Sequence, residues 1–123
     1  MNDRGPQPKA PARDPGITIK IAVHGDTTTL IVTGRILHGP TGSDRLRKSF
    51  LDALCPATRA IIIDLSETEA IDASGLGILA LAHREALSLG KSLSITNATA
   101  CIQDLFRITG LSKFFLRATG AAK

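Results

Sequence analysis

Residues 60–90 read AIIIDLSETEAIDASGLGILALAHREALSLG. The segment carries two signals of different period. Ala60 to Leu65 is a short, continuous apolar run broken only by Asp64, the pattern of a strand covered on both faces, as in parallel sheets. From about Gly75 to Leu89, Leu76, Leu79, Ala80 and Leu87 recur at helical spacing, and Gly90 stands where a helix commonly ends in a left-handed residue. A buried strand followed by a helix is the repeating unit of an α/β sheet.

The neighbouring segments extend the unit in both directions. Ile17, Ile19, Ile21 and Val23 alternate with Thr18, Lys20 and Ala22, which predicts a half-buried strand. His24-Gly25-Asp26 supplies a turn, and the β-branched run Thr27 to Thr33 completes a hairpin. Ser43-Asp44 is expected to cap a helix over Arg45–Leu54, with Leu46, Phe50, Leu51 and Leu54 on one face and Pro56 as its stop. Beyond Gly90, Leu93–Thr96 reads as a strand. Thr99 is expected to cap a helix over Ala100–Thr109 closed by Gly110, and Phe114-Phe115-Leu116 is a candidate edge strand. The expected order is β-β-α-β-α-β-α. It predicts an α/β fold with a mixed sheet of four to five strands, an N-terminal hairpin first and alternating helices and strands after it.

The chain has 123 residues, enough for one domain. Residues 1–16, MNDRGPQPKAPARDPG, hold four prolines and mixed charges, with nothing that can be buried. They read as a disordered leader without the apolar core of a secretory signal. A single domain is expected over 17–117, with a tail at 118–123. No apolar run reaches the ~18 residues of a membrane span. Two cysteines, Cys55 and Cys101, exclude a disulfide scaffold and make a reducing, cytoplasmic setting the expectation; both read as small buried hydrophobes. With no CxxC and no HxxxH, a structural zinc site is not expected, and no cofactor is called for. The formal charge of +4 includes +1 from the leader and +1 from Lys123, so the body carries only +2. Without Trp or Tyr and without a basic stripe, the chain lacks the platforms that nucleic-acid binding uses.

Chemistry concentrates in Ile71-Asp72-Ala73-Ser74-Gly75-Leu76-Gly77, just ahead of the second helix. Asp72 or Ser74 can accept hydrogen bonds from the N–H groups of the first turn. Gly75 and Gly77 strip that turn of side chains, which permits either a tight turn or close approach of another surface. Ser74 is therefore either part of a helix cap and nothing more, or a hydroxyl on an exposed, positively polarised turn. The Gly-x-Ser-x-Gly of a hydrolase elbow is absent, since position 72 is Asp. Of the three histidines, His24 belongs to the hairpin turn and His83 falls among apolar residues of the second helix. His38, in the loop Gly34–Gly42, is the one candidate base for Ser74. That loop lacks the phosphate-loop pattern. Asp64 and Asp72 are expected to bond backbone N–H groups at element ends, and a catalytic role is not expected.

Ile61-Ile62-Ile63-Asp64-Leu65-Ser66 followed by Ile71-Asp72-Ala73-Ser74-Gly75-Leu76-Gly77-Ile78-Leu79 resembles the signature of the STAS domain family, whose members nearest in size are bacterial anti-sigma factor antagonists. Leu105-Phe106-Arg107-Ile108-Thr109-Gly110-Leu111 is similar to the third helix of that family and its Thr/Ser-Gly-Leu ending. The resemblance covers residues 17–116. It implies a binding protein with no catalysis of its own, which engages an anti-sigma factor that is often a serine kinase. That kinase would supply ATP and magnesium and phosphorylate Ser74; a phosphatase would reverse it. The implied partner surface is Asp72, Ala73, Gly75, Leu76 and Gly77, with His38 beside it. Two departures stand out. Ala73 replaces the first serine of the usual pair, and Gly34-Arg35-Ile36-Leu37 stands where many members carry Gly-Glu-Leu-Asp. Other branches of the family are constitutive subunits of signalling scaffolds or lipid-transport complexes, or tails of anion transporters.

Overall fold

The computed structural model describes residues 16–110. The elements are β1 (Thr18–His24), β2 (Thr27–Ile36), α1 (Ser43–Ala53), β3 (Ala60–Asp64), β4 (Thr68–Ile71), α2 (Ala73–Ser88), β5 (Ser92–Thr96) and α3 (Ala100–Thr109). The expected leader, the tail and the Phe114–Leu116 strand lie outside the described residues, apart from Gly16.

The α/β fold and the N-terminal hairpin are as expected. The five-stranded sheet runs β1-β2-β3-β5, with β4 also on β2. β1 and β2 are antiparallel across the Gly25-Asp26 turn, and the remaining pairs are parallel. β2 is the hub. Its first half, Thr27–Ile31, pairs with β3, and Gly34–Ile36 pairs with β4 after a register shift between Gly34 and Arg35. β4 was not expected: Thr-Glu-Ala-Ile is too short to show a period. It is held from outside, by Thr68 Oγ1 donating to the Val32 carbonyl (2.8 Å) and Gly34 N–H donating to the Glu67 carbonyl (3.1 Å).

One face of the sheet is closed. Leu30, Val32, Ile61, Ile63, Leu93 and Ile95 point to it and join Leu46 and Phe50 of α1 and Leu76, Leu79, Ala82 and Ala86 of α2 in a single core. Burial of each large aliphatic side chain contributes roughly 1.5–3 kcal/mol. The expectation that β3 is covered on both faces is corrected: Ile61 and Ile63 are buried, while Ala60, Ile62 and Asp64 are half-buried. Isoleucine suits a strand on either face, so the run hid the alternation.

Other expectations also change. Just ahead of β1 Ile17 is buried, and on β1 Ile19 is half-buried, but Ile21 and Val23 are 57% and 64% exposed at the sheet edge. Helix α1 starts at Ser43 with Gly42 as N-cap and no side-chain cap; the Ser43 hydroxyl instead accepts from Gly39 N–H at 3.3 Å. Leu51 is exposed and Leu54 only half-buried. Cys55 and Cys101 are both exposed, contrary to their reading as buried hydrophobes, because each stands in or beside the first or last turn of a helix and faces away from the core. The buried stripe of α2 turns toward Ala82 and Ala86, leaving His83 half-buried at its edge and Leu87 exposed. Thr99 and Gly110 do cap α3, the latter in the left-handed region.

Candidate functional site

β2 and β4 run parallel, so their carboxyl ends emerge side by side, the end at which open α/β sheets place their ligands. Ile36 is paired with Ile71, and the Asp72 N–H donates to the Ile36 carbonyl at 3.1 Å. The chain leaving β2 carries His38, and the chain leaving β4 carries Asp72, Ala73 and Ser74 straight into α2.

Asp72 is the N-cap of α2. Its Oδ1 accepts from Gly75 N–H at 3.0 Å, and its Oδ2 accepts from His38 N–H at 2.8 Å. The main-chain carbonyl of Asp72 takes Leu76 N–H at 2.9 Å. Partial burial works against the charged carboxylate. The N–H groups of Gly75, His38 and Ser74, with the His38 ring, outweigh it and hold the carboxyl below its ordinary value. His38 Nδ1 lies 3.1 Å from Ser74 Oγ. The loop that carries His38 is closed by Ser43 N–H donating to the Leu37 carbonyl (2.8 Å) and Asp44 N–H to the Gly39 carbonyl (3.0 Å).

The residues singled out in the sequence divide into two sets. Ser74 and Asp72 are half-buried at the surface, and His38, Ala73 and Gly77 are exposed around them. Gly75 and Leu76 point inward. A Cβ at Gly75 would lie 2.5 Å from Ile71 Cγ1 and 2.8 Å from Ile36 Cγ2, whereas one at Gly77 would meet nothing within 4 Å. The two glycines thus serve different ends: Gly75 lets α2 sit on the strand ends, and Gly77 keeps the outer surface low. Asp64 caps its own turn, accepting from Ser66 N–H at 2.8 Å, as expected of a structural carboxylate.

The arrangement is unlike a hydrolytic triad. Asp72 bonds the main chain of His38 and not its ring, and the helix-start N–H groups that would form an oxyanion hole are already bonded to Asp72. It presents a hydroxyl on a rigid turn beside an imidazole. Away from it, Arg47, Phe50, Leu51, Ile78, Leu81, Ala82 and Glu85 line a shallow apolar groove between α1 and α2.

The chain belongs to the STAS domain family: the family model described as Mlab, STAS domain, matches residues 19–118. Solved structures carry the same fold. An anti-sigma factor antagonist from Mycobacterium paratuberculosis is 24% identical, with a TM-score of 0.69 over 81% of this chain and 83% of that one. The Bacillus cell fate determinant SpoIIAA in its phosphorylated form is 19% identical, with a TM-score of 0.63 over 81% and 88%. A sulfate transporter family protein from Wolinella succinogenes is 18% identical, with a TM-score of 0.64 over 75% and 73%. No curated protein sequence gives a significant match. Among the described residues, no helix is long and apolar enough to cross a membrane.

Proposed function

We propose that this chain is an anti-sigma factor antagonist, a protein-binding module of the cytoplasm that docks the surface around Ser74 on an anti-sigma factor. We further propose that this partner is a serine kinase whose phosphorylation of Ser74 breaks the complex. The observation that carries the reading is the position of Ser74: its hydroxyl lies in the first turn of α2, on the outer side of a STAS domain, next to an open Gly77. The likeness to an anti-sigma factor antagonist and to a phosphorylated SpoIIAA supports it. In the step proposed, Ser74 Oγ attacks the γ-phosphorus of the ATP that the partner brings with its magnesium. The Oγ–P bond forms, the bond to the bridging oxygen breaks, ADP leaves with that electron pair, and the serine proton passes to a base. A phosphatase would return the hydroxyl. The test is intact-mass analysis of the chain isolated from its native host, with the phosphate mapped to the peptide holding Ser74. Co-purification of an anti-sigma factor only with the unphosphorylated form is the expected result.

A second reading is a constitutive STAS subunit of a signalling scaffold or lipid-transport complex that never uses Ser74. Arg35 and Leu37 in place of the family's acids, and the family model's description, favour it. An unmodified Ser74 throughout, with a stable partner of another kind, would establish that reading instead.

A further inference from the structure

We infer that His38 is the counter-cation of a phosphorylated Ser74. The inference rests on Ser74 as a phosphoacceptor, and concerns what the phosphate meets once attached.

A phosphate at a helix start is ordinarily received by free N–H groups. Here those of Gly75 and Leu76 are committed. Gly75 N–H and His38 N–H donate to the two oxygens of Asp72, and Leu76 N–H donates to its carbonyl. A phosphoserine at position 74, bringing about −1.5 to −2 charges, would therefore face an ionised carboxylate that already holds the Gly75 and His38 N–H groups. The basic side chains whose partners are known are engaged elsewhere: Arg45 with the Ile17 carbonyl, Lys48 with Asp52, Lys91 with the Cys55 and Thr58 carbonyls, Arg107 with Asp104. Arg35 alternates with the buried Ile36 along β2 and so projects to the opposite side of the sheet. The His38 ring, 3.1 Å from Ser74 Oγ, is the basic side chain that the structure places in contact with that hydroxyl.

The chemistry of the contact changes with the modification. A free hydroxyl can give its proton to Nδ1 or accept one from it. An esterified Oγ has no proton to give, and the oxygens of the phosphate dianion only accept. The contact then persists only with a hydrogen on Nδ1. The exposed Nε2 can take a second proton from water, which gives an imidazolium against the phosphate. The His38 main chain is fixed by Asp72 and its loop by the Ser43–Leu37 bond, independently of the ring.

The experiment installs phosphoserine at position 74 during translation, so it needs no kinase, and compares His38 with His38→Asn and His38→Gln. In 31P spectra, the phosphate of the His38 protein is expected to take its last proton at a pH lower by about half a unit or more than in either variant. The 15N resonances of the ring should show Nδ1 carrying hydrogen, and raising the salt should shrink the difference. Identical phosphate titrations in all three proteins would overturn the inference, as would a difference insensitive to salt. Because the phosphate is placed synthetically, a failure of anti-sigma factor binding would count against the proposed function alone.

Discussion

The carboxylate of Asp72 reaches back across the sheet end to the main chain of His38, Oδ2 to N 2.8 Å, while its other oxygen caps α2 through Gly75. One side chain therefore fixes two segments that are distant in sequence, the loop after β2 and the first turn of α2. It aligns the ring of one with the hydroxyl of the other. Charge-assisted bonds of this kind are the stronger ones, and two of them converge on one carboxylate.

Asp72→Asn is accordingly expected to cost about 1–2 kcal/mol at neutral pH, since an amide offers one acceptor and turns an N–H group on the second donor. The pH dependence follows from the sign of the shift. The folded carboxyl titrates below its unfolded value, near 3.9, so its contribution is complete above that value and is lost as pH falls through the folded one. Urea unfolding from pH 7 to pH 2.5 should show the wild-type advantage over Asp72→Asn narrowing below about pH 4. A gap constant over that range would mean that the carboxylate charge adds nothing.

Much of this was legible in the sequence. The hairpin, β5 and α3 with both its caps each carry a local signal, a Gly-Asp turn, a Thr ahead of an apolar period, a closing glycine, while the start of α2 was expected at about Gly75 with Asp72 or Ser74 as cap and falls at Ala73 with Asp72. What failed was non-local. β4 exists because β2 is long enough to pair twice, and nothing within Thr68–Ile71 announces it. Ile21 and Val23 read as core because alternation fixes which residues share a face but not how far that face is covered. At the site, the residues were visible and their division of labour was not. Gly75 and Gly77 look alike in sequence, and only the packing of Ile36 and Ile71 separates them.

That separation gives a paired prediction. Gly75→Ala forces a methyl against Ile71, Ile36 and the Ile36 carbonyl, and should destabilise by about 1–3 kcal/mol. Gly77→Ala enters open space within the helix and should stabilise by about 0.5–1 kcal/mol. Thermal melts of the two variants should move in opposite directions. If both rose, the close approach at Gly75 would be relieved by a shift of α2.

Cys55 should be a reactive thiol. Its hydrogen bond to Thr58 Oγ1, 3.1 Å away, favours the thiolate; burial opposes that weakly, and the N–H groups of Ala57 and Thr58 add to it, so the thiol titrates below its ordinary value. In a Cys101→Ser background, iodoacetamide at pH 7 should modify Cys55 faster than free cysteine, and Thr58→Val should slow it. Equal rates with and without the Thr58→Val substitution would remove the threonine from the account.

Ser74 carries the last prediction. In Ser74→Asp the new carboxylate meets Asp72, which already holds the Gly75 and His38 N–H groups, so the helix start gives it little welcome. It is nevertheless at the surface, where a like-charge neighbour costs only a few tenths of a kcal/mol, and a loss of 1 kcal/mol moves the melting temperature of a domain this size by about 4–8 °C. Ser74→Asp should therefore melt within a few degrees of wild type. At an interface the outcome differs. A partner lying low over Gly77 would have to bury the charge unpaired, at a cost of several kcal/mol, and each ~1.4 kcal/mol is tenfold in affinity. Calorimetric titration against the cognate anti-sigma factor should show Ser74→Asp weakened at least tenfold. Ser74→Ala, which loses one exposed contact to His38, should fold and bind nearly as wild type and resist phosphorylation. Equal affinity in all three proteins would favour the constitutive subunit over the switch. A loss of binding in Ser74→Asp matched by a collapse of its melting temperature would leave Ser74 as a structural element of the α2 start.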